Sequence, residues 1–90
     1  SVKSGFNLYP NPAKNFVELK WNWHESGLDC ELELKVYNLS GVLIDNISIE
    51  DYKKNIWLLN TQQFKTGFYI VEVINAKGQV LFKEKLSIIK

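Results

Sequence analysis

Apolar residues in this chain fall on alternate positions and almost nowhere at helical spacing. Along residues 15–23, Val17, Leu19, Trp21 and Trp23 share one side, and Glu18, Lys20 and Asn22 share the other. Phe16 is the exception on the polar side. Residues 31–38 repeat the pattern, with Leu32, Leu34 and Val36 set against Glu31, Glu33, Lys35 and Tyr37. A period of two belongs to a strand with one wet face. No window holds a convincing 3.6-residue period, so the chain is confined to all-β folds.

Turn chemistry divides the rest. Phe6–Tyr9 is a short extended piece ended by Pro10-Asn11-Pro12, where each proline lacks a backbone donor and biases the residue before it toward extended geometry. Tyr9-Pro10-Asn11-Pro12 therefore reads as a rigid bend that terminates strand pairing. Residues 24–27 break the second strand as a loop. Asn38-Leu39-Ser40-Gly41 is a turn, and Val42-Leu43-Ile44 leads a return strand toward Ile47 and Ile49. Residues 51–54 form a polar connection, and residues 55–61 form another strand carrying Ile56, Trp57, Leu58 and Leu59.

An internal echo supports this division. Residues 36–44 and 73–81 both run valine, an apolar residue, asparagine, two variable residues and glycine, then an apolar stretch. Their flanks differ, so the echo predicts two hairpins of one geometry, not a solenoid. In the second hairpin Tyr69, Val71 and Val73 are placed inward, because Phe68, Ile70 and Ile74 share their phase with the charged Glu72. Val80, Phe82, Leu86 and Ile88 share a phase with Glu84, a conflict that a bulge near Lys83-Glu84-Lys85 would resolve. Six or seven short strands with regular turns predict an immunoglobulin-like β-sandwich of about seven antiparallel strands.

Composition narrows the function by exclusion. Eleven basic against ten acidic residues leave a net charge of +1, and no basic cluster exceeds Lys53-Lys54, so no nucleic acid is expected as a partner. No apolar run has the length of a membrane-spanning helix. The absence of a charged-then-apolar leader makes the 90 residues read as a domain of a longer precursor. Cys30 stands alone, which excludes an internal disulfide and a site of paired cysteines; it reads as a small buried hydrophobe at a strand start. His24 is the single histidine and reads as a solvated loop residue. Glu31 and Glu33 lie on a mixed-charge strand face with no cleft implied. Ser40 lacks the small-residue elbow of a nucleophile, and the scattered glycines form no phosphate-cradling loop. No catalytic residue, metal or cofactor is expected, and a monomer is.

The tryptophans offer the one binding alternative. Exposed together, Trp21, Trp23 and Trp57 would make a stacking platform for sugar rings, as in a carbohydrate-binding or accessory immunoglobulin-like module of an extracellular hydrolase. Their apolar phase favours core packing instead.

The motifs in order resemble the type A C-terminal sorting domains of the type IX secretion system. Leu8-Tyr9-Pro10-Asn11-Pro12-Ala13 is similar to the family's Tyr-Pro-Asn-Pro opening, and residues 36–41 to its middle hairpin. Gly67-Phe68-Tyr69-Ile70-Val71 is similar to its Gly-x-Tyr strand, and Lys85-Leu86-Ser87-Ile88-Ile89-Lys90 to its short apolar closing strand with a basic end. Gly41 and Gly78 mark the two matching turns. Two stretches depart from the family pattern: residues 20–24 are unusually aromatic, and Leu59-Asn60-Thr61 stands where an apolar–Asp–Leu run is usual.

The resemblance implies an immunoglobulin-like sandwich over residues 6–90, with residues 1–5 the end of a linker. It implies a non-catalytic signal that carries an upstream cargo domain through the periplasm and across the outer membrane of a Gram-negative bacterium. Its partners would be the outer-membrane secretion machinery and a sortase-like cysteine protease that removes the domain before surface attachment. Residues 85–90 are expected to be the recognised strand, pairing with a partner by strand addition through exposed backbone groups.

Overall fold

The alternation sorts itself into two faces of two sheets. The computed structural model describes residues 5–22, 31–50 and 54–90. Among them are β1 (Phe6–Tyr9), β2 (Phe16–Trp21), β3 (Leu32–Asn38), β4 (Leu43–Ile49), β5 (Ile56–Asn60), β6 (Gly67–Ile74) and β7 (Val80–Ile88). One sheet has the order β1-β2-β5 and the other β4-β3-β6-β7, with every strand pair antiparallel. The two pack face to face over one apolar cluster. Leu8, Val17, Leu19, Trp21 and Leu59 come from the smaller sheet; Leu32, Leu34, Val36, Ile49, Val71, Val73, Phe82, Leu86 and Ile88 come from the larger. The Phe6 ring stacks at 5.9 Å on Trp21 and at 5.5 Å on Phe82, and so joins the sheets. Trp23, His24 and Cys30, the loop after β2, residues 1–4 of the expected linker and residues 51–53 lie outside the described residues.

The sequence echo is one turn used twice. Asn38 Oδ1 accepts from the amides of Ser40 and Val42 at 2.9 and 3.0 Å. Asn75 Oδ1 accepts from Lys77 and Gln79 at 3.0 and 2.9 Å. Each turn closes on a glycine with positive φ, 87° at Gly41 and 82° at Gly78, beside a shift in strand register. A Cβ at either glycine would meet nothing within 4 Å, so only backbone conformation opposes a side chain there. Gly41→Ala and Gly78→Ala should each cost about 1 kcal/mol by urea unfolding. Equal losses at the two sites would establish that the turns are energetically the same device.

The closing strand corrects one expectation. The register irregularity lies between Val73 and Ile74, whose partners are Phe82 and Val80, not near residues 83–85. Leu81 is thus the extra residue, and a one-residue insertion moves what precedes it to the other face. Val80 therefore leaves the inward phase and is 48% exposed, while Phe82, Leu86 and Ile88 stay buried. Glu84 keeps its inward phase, opposite the buried Val71. Its carboxylate is met by a polar group from elsewhere in the chain: Asn11 Nδ2 donates to Glu84 Oε2 at 3.3 Å.

Candidate recognition surface

β7 is an edge strand of the larger sheet, and antiparallel alternation turns its odd-numbered backbone groups away from β6. Between the Lys85 carbonyl and the Ile89 amide those groups are already bonded. Asn11 Nδ2 donates to Lys85 O at 2.9 Å, and Asn11 Oδ1 accepts from the Ser87 amide at 2.9 Å. The Ala13 amide donates to Ser87 O at 2.8 Å, and Ala13 O accepts from the Ile89 amide at 2.9 Å. The proline-flanked segment thus lies along the strand as a strap, with Ala13 in a parallel bridge to Ile88. Ala13 is 2% exposed, packed at the rim of the core. The expectation of a closing strand with free backbone groups is corrected: a side-chain amide and one residue of main chain satisfy them.

Lys90 ties the same region to the smaller sheet. Its ammonium donates to the carbonyls of Lys14, Thr61 and Gln62 at 2.6, 2.8 and 3.3 Å, and its amide donates to Thr66 Oγ1 at 3.0 Å. Thr61 lies beneath, fully buried, with Oγ1 donating to Lys14 O at 3.2 Å and its amide to Asn15 O at 2.9 Å. The preceding Asn60 supplies what an aspartate would at that position, since its Oδ1 accepts from the Gln62 amide at 2.9 Å.

The expected recognition residues therefore divide in two. Leu86 and Ile88 are fully buried and out of reach of a partner while the domain is folded. Lys85 and Ile89 are exposed and Ser87 partly so, with Lys85 Nζ 4.9 Å from the centre of the Phe68 ring. Of the motif residues, Tyr9 is 68% exposed beside the strap. Pro10, Asn11 and Pro12 form the strap, and Gly41 and Gly78 form the turns. Gly67 opens β6 two residues before Tyr69, whose ring packs on Phe64 at 5.2 Å and whose hydroxyl donates to Lys65 O at 2.7 Å. In sequence Pro10-Asn11-Pro12 reads as a bend and not as a strand substitute. The one signal was an asparagine between two residues that cannot donate.

Among the described residues, Trp21 and Trp57 make no platform. Trp21 is 4% exposed and stacked under Phe6, which corrects its reading as a sugar-stacking surface. Trp57 is half-buried and shares the inward phase of Leu59. Among the described residues, no cluster of His, Cys, Asp and Glu is placed to hold a metal ion, and no helix is long and apolar enough to cross a membrane.

Residues 7–89 match the family model described as "Secretion system C-terminal sorting domain". In shape the chain is similar to the crystal structure of dimeric latent PorU from Porphyromonas gingivalis, with a TM-score of 0.79 at 14% identity. The likeness covers 94% of this chain and 9% of that one. No curated protein is a significant match in sequence.

Proposed function

The chain belongs to the secretion system C-terminal sorting domains, the export signals of type IX secretion, and from this premise we propose that residues 6–90 act by binding alone, as the address on an upstream cargo. The family membership places such a protein on the way to the surface or the surroundings of a Gram-negative bacterium. The outer-membrane machinery would take hold of the folded sandwich in the periplasm. A sortase-like cysteine protease would then cut before the domain, at or upstream of residues 1–5, and free the cargo for surface attachment. The observation that carries this reading is the match along residues 7–89. The side chains that remain in reach on the closing strand, Lys85, Ser87 and Ile89, are the proposed contacts.

The test is a periplasm-directed reporter carrying residues 1–90 at its carboxyl end, expressed in a bacterium with a type IX system. The reporter is expected outside the cells, and retention in the periplasm would overturn the reading. A second reporter with Lys85→Glu and Ile89→Asp keeps the core side chains intact. It should unfold at the same urea concentration as the parent yet remain inside. Export at the parental level would move recognition to another face.

A further inference from the structure

We propose that residues 11–13 are an exchangeable cover for the outer edge of β7, holding that edge in the free domain and yielding it to an extended segment of the recognising protein. The inference rests on the export reading above and gives it a mechanism. A bare strand edge is a template for unwanted pairing, and a signal recognised in the periplasm needs that template hidden until its partner arrives.

The hydrogen bonds at the edge fit an exchange. Lys85 O and Ser87 O receive donors from Asn11 and Ala13, and the Ser87 and Ile89 amides find acceptors on the same two residues. One incoming strand offers those two donors and two acceptors from its own main chain. The swap therefore conserves the number of hydrogen bonds on the edge. The cover is also thin. Pro10 and Pro12 have no N–H, so the pairing rests on the Asn11 side chain and the Ala13 main chain.

The anchor behind the cover is built to outlast it. Lys90 Nζ holds Lys14 O, one residue past Ala13, but it also holds the carbonyls of Thr61 and Gln62. If residues 11–14 lift, the ammonium keeps two of its three partners, and β7 stays fastened to the smaller sheet. The edge then opens without loss of the sandwich. The exposed Lys83 and Lys85 favour acidic side chains on the segment that takes the place of the cover.

A disulfide across the cover tests this. Neighbouring strands lie about 4.8 Å apart, within the Cα separation a disulfide needs, so Ala13→Cys with Ile88→Cys should lock the cover down. Both changes are made in a Cys30→Ser background, with Ile88→Cys alone as the control for the altered core. In the reporter assay the locked variant should be exported at about a tenth of the control level or less, the effect of removing a local opening from the path. Export equal to the control overturns the proposal. Amide hydrogen exchange on the purified domain gives an answer that needs no secretion machinery. Ser87 and Ile89 should exchange about tenfold or more faster than Leu86 and Ile88, and the lock should abolish the difference. A common rate for all four amides would mean that the cover opens only with global unfolding, which also overturns the proposal. If the parent reporter is not exported, the export reading fails by itself and the exchange comparison alone decides whether the cover opens.

Discussion

A chain from which residues 86–90 are deleted is expected to lose cooperative unfolding altogether, with a near-random far-ultraviolet circular dichroism spectrum at 25 °C. Leu86 and Ile88 are both fully buried, and truncating either side chain to alanine costs about 2–5 kcal/mol. The deletion also removes the last ladder rungs to β6, at Gly67, Phe68 and Tyr69. With them go the Ser87 amide that donates to Asn11, both partners of Ala13 and the ammonium that joins three carbonyls. A domain of this size has about 5–13 kcal/mol of stability in all, and these losses together reach that total. A folded truncation with a sharp transition would mean that β7 is an appendage of the sandwich. The consequence for function is practical. Loss of export after such a deletion reports unfolding, so the terminal strand has to be probed by surface changes such as Lys85→Glu with Ile89→Asp.

What the sequence made legible follows from where the determining forces act. Alternation over residues 16–21 and 32–38 reflects the burial of one face, a local pattern, and it places Val17, Leu19, Leu32, Leu34 and Val36 correctly. The echo of Asn38-to-Gly41 in Asn75-to-Gly78 is equally local, because an asparagine side chain and a left-handed glycine close the turn within five residues. The position of the bulge was not legible. It is set by how the turn meets its two strands, and an apolar Leu81 fits either phase. The strap was hidden for a different reason. Asn11 and Ser87 are 76 positions apart, and a side chain standing in for a strand leaves no periodic trace. Only the structure shows that the two ends of the family motif set, Tyr9-to-Pro12 and Lys85-to-Lys90, are in contact.

That contact makes a second large effect predictable. Asn11→Ala removes the donor to Lys85 O and the acceptor of the Ser87 amide; at an exposed edge, where water substitutes in part, the loss should be about 1–2 kcal/mol. Lys90→Met keeps the stem but takes the charge from the carbonyls of Lys14, Thr61 and Gln62, and should cost about as much, since bonds to an ionised donor are the stronger kind. Lys90→Arg should recover only part of it, because a planar fork does not match carbonyls converging on a single nitrogen. The two residues hold successive parts of one segment, Asn11 at its start and Lys90 at Lys14, so their effects should not add. Once one fastening is gone, the segment moves and the other loses its hold on it, for Lys90 the bond to Lys14 O, which puts the double variant about 0.5 kcal/mol or more below the sum of the singles. Urea unfolding of the four proteins measures this directly. Strict additivity would show that the strap and the Lys90 contact act independently, and that the ends of the motif set share a surface without sharing a mechanical role.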